Sequence, residues 1–162
     1  MKRVYYTADH INSWLLEIAR QMYINEYKPT YIVGLARGGL VPALKLSHYL
    51  NIPMFALNKD ESNLWMAEDA FNFISEEIQF RKNILIVDDI NDTGKTLNDL
   101  KTDWMSGCHP NSTEWNNIWH SNVKFATLID NLASPFKVDY CGYEINKEAN
   151  PEWCVFPWEQ WW

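Results

Sequence analysis

Residues 83–97 read NILIVDDINDTGKTL, and the order of residue types in this stretch is what could do chemistry. Four apolar residues, Ile84 to Val87, run into adjacent carboxylates, Asp88 and Asp89, and then into a polar turn of Asp92, Thr93, Gly94, Lys95 and Thr96. Such an apolar run predicts a buried strand and the turn predicts the start of a helix, so the polar groups stand beyond a strand's carboxyl end. There the free amides around Gly94, the hydroxyls of Thr93 and Thr96, the positive end of the helix dipole and the Lys95 ammonium suit a phosphate. Asp88 and Asp89 would repel phosphate but suit a pair of hydroxyls or Mg²⁺. A sugar phosphate meets both demands. The GKT at 94–96 also occurs in nucleotide P-loops, but that motif requires Gly at position 89, where Asp stands. The plainer reading, a capped helix with solvated acids, leaves the paired carboxylates after ILIV without a reason.

The elements that must position these groups alternate between strand and helix, the pattern of an α/β domain with a parallel sheet. Thr7 caps a first helix in which Ile11, Trp14, Leu15, Ile18, Ala19 and Met22 recur at helical spacing. YIVGL at 31–35 is a buried strand ending in ARGG at 36–39, and a helix with Pro42 in its first turn follows. Residues 54–57, 123–129 and 138–145 read as further strands. Residues 58–80 score equally as a short helix or as a loop with an edge strand, and are expected to form a mobile excursion. No repeat, linker or low-complexity segment interrupts the chain, so residues 1–162 are expected to form one domain.

Composition narrows the function classes. Fourteen Lys and Arg against twenty-one Asp and Glu give 162 residues a net charge of −7, the wrong sign for coating a nucleic-acid backbone. Three cysteines, Cys108, Cys141 and Cys154, show no zinc-site spacing and fit reduced thiols in a cytoplasm. No run approaches the ~18 apolar residues of a membrane helix, so no membrane partner is expected. His10, His48, His109 and His120 read as structural or surface residues, and Glu68, Asp69, Glu76 and Glu77 as solvated charge. Nine Trp, four of them within residues 153–162, point to a packed C-terminus and to a homo-oligomer.

ILIVDDINDTGKTL resembles the binding signature for 5-phosphoribosyl diphosphate (PRPP) of the type I phosphoribosyltransferases, and LARGGLVPA at 35–43 resembles their diphosphate loop. With YTADHINSWLLEIARQM at 6–22 and WCVFPWE at 153–159, the resemblance runs over nearly the whole chain and is nearest to the bacterial xanthine-guanine enzymes. It implies an α/β fold with a mostly parallel central sheet flanked by helices and a small C-terminal hood, mainly within 130–162. It further implies an Mg²⁺-dependent transfer of the phosphoribosyl group to guanine, xanthine or hypoxanthine, through an oxocarbenium-like transition state, and a dimer or tetramer. Asp88 and Asp89 would hold the ribose hydroxyls, Asp89 also the metal with Glu159 near a second ion. Residues 92–96 would wrap the 5'-phosphate. Arg37, Gly38 and Gly39 would grip diphosphate across a 36–37 peptide that is often cis in the family. Asp92 holds the position of the general base, although carboxylates are ordinarily too acidic to take a proton efficiently near neutral pH. Trp153 would stack on the purine and the Cys154 backbone would read its edge.

Two departures stand against this. Purine relatives usually carry a Lys after the strand at 123–129 that donates to the 6-oxo group; Asn131 occupies the place, and an amide serves a 6-oxo or a 6-amino group, so adenine stays open. Lys137 lies too far along to substitute. The insert at 104–122 has no placed counterpart and is expected to make an oligomer contact or decorate the surface. A non-catalytic PRPP or nucleotide sensor of the same fold is the alternative to the enzyme, and a pyrimidine or orotate substrate would leave WCVFPWE unused.

Overall fold

Strands apolar on both faces need cover on both, and that requirement organises the chain. A computed structural model describes residues 1–61, 63–72 and 81–159. The strands are β1 (Lys2–Tyr5), β2 (Tyr31–Leu35), β3 (Met54–Leu57), β4 (Ile84–Asn91), β5 (Val123–Asn131), β6 (Tyr140–Ile145) and β7 (Glu152–Val155). The helices are α1 (Ala8–Ile24), α2 (Leu40–Leu50), α3 (Leu64–Phe71) and α4 (Lys95–Gly107), with short 3-10 turns at Thr113–Asn117 and Pro157–Glu159. The central sheet has the order β3-β2-β4-β5-β6 with every neighbouring pair parallel. This is the sheet expected from the alternating pattern, and β4 lies at its middle.

Side chains alternate between the two faces along each strand. Ile32, Leu85, Val87, Ala126 and Leu128 pack under α1 and α2, while Tyr31, Val33, Ile84, Ile86 and Phe125 pack under α3 and α4. The α1 cap is reciprocal: the His10 N–H donates to Thr7 Oγ1 (3.3 Å) and the Thr7 N–H donates to His10 Nδ1 (3.0 Å). Ile11, Trp14, Leu15, Ile18 and Met22 are buried as the spacing predicts. The N-terminal strand β1, which the sequence pattern does not announce, pairs in parallel with β7 and so ties the chain's start to the hood. No helix among the described residues is long and apolar enough to cross a membrane.

Of the two readings of 58–80, the short helix is present as α3, whose Met66, Ala67, Ala70 and Phe71 lie in the core; residues 62 and 73–80 fall outside the described residues. The insert at 104–122 is no decoration. Trp104, Cys108, Trp115, Ile118 and Trp119 are buried, closing the α3/α4 side of the sheet against Phe71 and Phe125. Trp115 stacks on Trp119 with centroids 5.1 Å apart and its Nε1 donates to the Cys108 carbonyl (3.0 Å). His109 stacks on Phe71 (4.0 Å) and meets Glu68 (3.1 Å), so this part of the surface is tied down too.

Most of the described tryptophans are packed within this chain. Trp14, Trp104, Trp115 and Trp119 are buried within this one, Trp158 stacks on Phe156, and Trp65 and Trp153 are exposed. Trp161 and Trp162 lie outside the described residues. Trp115→Ala is expected to cost about 3–5 kcal/mol of stability, because a large buried ring leaves a cavity that α4 and β5 cannot close. Chemical denaturation checks this; a loss below ~1 kcal/mol would return the insert to the surface.

Candidate functional site

β4 delivers the site. Its buried residues end at Val87, and Asp88, Asp89 and Ile90 emerge half-buried beyond the point where α2 and α4 cover the sheet. The Asp89 N–H donates to Asp88 Oδ1 (2.9 Å) and the Ile90 N–H donates to Asp89 Oδ1 (2.7 Å), so both carboxylates are oriented by the chain itself. Burial, then the charge of Asp89, pushes the Asp88 carboxyl well above the ordinary range; burial, assisted by the charge of Glu159, raises Asp89 against the Ile90 N–H.

Among the described residues none of these three acids has an ion-pair partner. Adjacent carboxylates that are shielded from water and lack a cation suit a hard divalent ion with oxygen ligands, and the donor set fits Mg²⁺. Glu159 is held by its own turn, with the Phe156 N–H donating to its Oε2 (3.0 Å). Glu159 is near enough for its charge to act on Asp89.

The diphosphate-type loop sits directly against the acids. A Cβ on Gly38 would collide with the Asp89 carboxylate, and one on Gly39 with the Val87 and Leu35 carbonyls, so only glycine lets this turn lie on β4. The Ala36–Arg37 peptide is cis, as the resemblance implies. Arg37 is exposed, and its guanidinium has no partner among the described residues. A fork donor without a partner beside a Gly turn is suited to phosphate oxygens. A cavity of about 270 Å³ extends from Ala36 across Asp88 to Thr96.

Beyond β4, residues 88–97 line a second cavity of about 160 Å³. Gly94 caps α4 at φ 82°, and a Cβ there would come within 2.6 Å of Phe136 Cβ, so the turn requires glycine twice over. The thirteen-residue helix behind it aims its first amides into this cavity. Thr93 and Thr96 are exposed at its edge. Lys95 departs from expectation: its ammonium pairs with Asp99 (2.6 Å) one turn along the surface, so its contribution at the loop is the backbone N–H.

The end of β5 holds the loop in place. The buried Asn91 amide donates to Asp130 Oδ1 and to the Phe136 carbonyl (both 2.8 Å), and Ser134 Oγ donates to Asn91 Oδ1 (3.1 Å). Burial raises the Asp130 carboxyl, and Asn91 opposes this. Asn131, expected at the base edge, is committed elsewhere. Its Nδ2 donates to the Asp92 carbonyl (2.8 Å) and to Asp92 Oδ1 (3.4 Å), while its Oδ1 accepts from the Ala133 N–H (3.2 Å) and the Lys147 N–H (3.0 Å). An amide has two donor hydrogens and two acceptor sites, and all four are used. The correction is physical: Asn131 is 6% exposed, inside the protein, where its polar atoms must be paired.

Lys147 is the residue that sequence reasoning missed. Its Nζ donates to Asp92 Oδ2 (3.1 Å) and stands 5.9 Å from the Trp153 ring centroid. The only sequence signal is a lone cation in the polar turn that precedes Trp153. Trp153 is 57% exposed and available for stacking, whereas the Cys154 side chain turns into the core beneath it. Asn91, Asp130 and Ser134 were likewise unread, since their role exists only where β4 and β5 run side by side.

Known proteins match this arrangement. Residues 5–160 match the family model described as the phosphoribosyl transferase domain. A xanthine-guanine phosphoribosyltransferase of Cereibacter sphaeroides is 29% identical over 132 residues, covering 79% of this chain and 68% of that one. The crystal structure of a purine phosphoribosyltransferase from Pyrococcus horikoshii superposes with a TM-score of 0.66 at 28% identity, over 99% of this chain and 96% of that one. A xanthine-guanine-hypoxanthine phosphoribosyltransferase of Helicobacter pylori shares the fold, with a TM-score of 0.65 at 21% identity over 97% and 93% of the two chains. With its central parallel sheet, its Gly turn on Asp89 and its amide loop at the start of α4, the chain belongs to the phosphoribosyl transferase family.

Proposed function

We propose that residues 1–162 act as one domain that transfers the 5-phosphoribosyl group of PRPP to a purine base and releases diphosphate, a salvage reaction of the cytoplasm. The observation that carries this is a juxtaposition. An amide loop sized for phosphate meets, at the carboxyl ends of the central strands, two carboxylates and a Gly-turn Arg that have no ion-pair partner among the described residues, and Lys147 links that end to an exposed Trp. The purine enzymes among the relatives support the same reading. Three free cysteines fit a reducing compartment. A homo-oligomer, expected from the resemblance, would cover Leu16, Leu44 and Tyr49, which α1 and α2 leave exposed.

The residues divide the work by charge. The amides of residues 92–96 and the hydroxyls of Thr93 and Thr96 hold the 5'-phosphate, and Asp88 and Asp89 accept hydrogen bonds from the ribose hydroxyls. Arg37 and the amides of Gly38 and Gly39 hold diphosphate. Asp89, with Glu159 nearby, would hold Mg²⁺, which when bound would supply neutralisation of the charge that builds on the departing diphosphate. The bond from C1 of the ribose to diphosphate oxygen breaks with its electron pair on that oxygen, and a bond forms from C1 to a purine ring nitrogen. Positive charge on the ribose between these events is stabilised by the Asp88 and Asp89 carboxylates. Trp153 orients the base by stacking, and the proton lost from its imidazole ring passes to Asp92 Oδ2. Charge stabilisation carries more of the rate than this proton transfer.

Three measurements test the reading. Diphosphate release from PRPP and Mg²⁺ is expected with at least one purine and not with orotate, and is lost in the Asp88→Asn/Asp89→Asn double variant. Saturable PRPP binding without turnover of any base would instead leave a sensor. Gly94→Ala is expected to raise KM for PRPP about 10-fold or more and KM for the base by a smaller factor, since its Cβ strains the phosphate loop directly and reaches the base side only through Phe136 and Ser134; equal effects on both substrates would separate Gly94 from that subsite.

The third follows from proton linkage. Asp88 has a raised folded-state pKa, so the folded protein holds its proton more tightly than the unfolded chain does, and stability falls as pH rises from ~4 through the raised value. Asp88→Asn, in which the amide oxygen still accepts the Asp89 N–H, is expected to raise Tm at pH 7–8 by about 2–6 °C. The gain shrinks on acidification to pH 4. A variant less stable than the parent at neutral pH would mean that the carboxylate is not held against its charge.

A further inference from the structure

Asp92 and Lys147 present a carboxylate oxygen and an ammonium nitrogen 3.1 Å apart, beside the face of an exposed tryptophan. An acceptor next to a donor matches one edge of one class of purine. In a 6-oxopurine carrying its imidazole proton on N7, the N7–H donor and the O6 acceptor are neighbours on the same edge. With the base stacked on Trp153, N7–H meets Asp92 Oδ2 and O6 meets Lys147 Nζ. Adenine places a 6-amino donor where the ammonium already donates, so two donors confront each other and neither is paired.

The other groups that could read the 6-position are occupied. Asn131 spends all four of its hydrogen-bonding positions on Asp92, Ala133 and Lys147. Lys137 turns back on its own loop, with Nζ donating to the Leu132 (3.5 Å) and Ser134 (3.2 Å) carbonyls. Lys147 is held from two directions: its backbone N–H is bound by Asn131 Oδ1, and its side chain, 16% exposed, is bound by Asp92. A cation whose stem and backbone are both fixed loses little further freedom when a base arrives.

We infer that Lys147, in the turn before β7, is the specificity-determining residue for the base: paired with Asp92 it reads the 6-oxo edge of guanine, hypoxanthine or xanthine and rejects adenine. This rests on the proposed purine site but not on turnover. Asn131, at the end of β5, is the clamp that holds both Asp92 and Lys147.

The test is equilibrium binding of inosine, guanosine and adenosine monophosphates to the full chain, run beside PRPP binding and turnover. The parent protein is expected to bind the two 6-oxo nucleotides at least ~10-fold more tightly than adenosine monophosphate. Lys147→Met is expected to weaken the 6-oxo nucleotides about 10- to 100-fold and to leave adenosine monophosphate and PRPP unchanged. Lys147→Arg retains the preference, and Lys147→Gln, whose amide both donates and accepts, narrows it to within ~3-fold. A parent without preference, or a preference that survives in both the Met and Gln variants, overturns the inference. So does an equal loss for all three nucleotides. If the preference follows Lys147 while no base is turned over, the assignment stands and the transferase reading fails; turnover with a preference indifferent to Lys147 gives the reverse.

Discussion

Two carboxylates on consecutive residues, each pushed toward its neutral form by burial and, among the described residues, without a cation beside it, are the constraint around which the molecule is arranged. They cost stability in the ligand-free protein, and the fold accepts that cost by placing them at the end of a strand buried on both faces. β4 cannot slide or tilt to relieve them. Its neighbours β2 and β5 pair with it in register, and the Gly38 turn lies against Asp89 so closely that no side chain fits between. In the proposed function this repulsion would be relieved by hydroxyl groups or a divalent cation bound there, and part of the affinity for such a ligand would be that relief.

The anion-binding and cation-binding halves of the site are separated by only a few residues of chain. From Asp88 to Thr96 the polypeptide changes from acceptor to donor, carboxylates giving way to helix amides, and the change is made possible by Gly94 in a left-handed conformation against Phe136. Phe136 belongs to the loop after β5, which the Asn91, Asp130 and Ser134 hydrogen bonds hold in place. The same loop contributes Asn131, which fixes Asp92. The phosphate side and the base side of the site therefore share one buried polar network whose named bonds are closed, and a network of that kind holds one geometry.

The aromatic insert serves this arrangement from the opposite direction. Trp104, Trp115 and Trp119 fill the space between α3, α4 and β5, and Phe125 and Phe136 continue that packing up to the phosphate loop. Helix α4 must be held firmly for its first amides to act as a fixed anion site, and large stacked rings on its buried side do so. The hood is secured independently: β7 pairs with β1, Tyr6 OH donates to Glu152 (3.1 Å), and Phe156 and Trp158 stack in parallel. Trp153 is left exposed by a segment whose alternate residues are buried.

Much of the chemistry was legible in the chain because it lies within short runs. Residues 88–96 occupy one strand end and one turn, so local rules for buried strands, glycine and helix starts place the acids, the hydroxyls and the amides without knowledge of the rest. Arg37, Gly38 and Gly39 were legible for the same reason, and so were α1, with its Thr7 cap and apolar stripe, and the strands of the parallel sheet. What the sequence could not decide were contacts between residues far apart in the chain. Asn131 sits where a base-reading group was expected but points inward, and Lys147 sits in an unremarkable polar turn; only the parallel pairing of β6 with β5, which sets Ile145 beside Asn131, brings that turn and its ammonium to Asp92. Trp104, Trp115 and Trp119, in a stretch that read as an oligomer contact or surface decoration, became core once α3 and α4 lay over the same sheet face. Spacing along the chain determined which groups are neighbours within an element, whereas burial and long-range pairing, which depend on how elements stack, determined which of those groups remain free to meet a substrate.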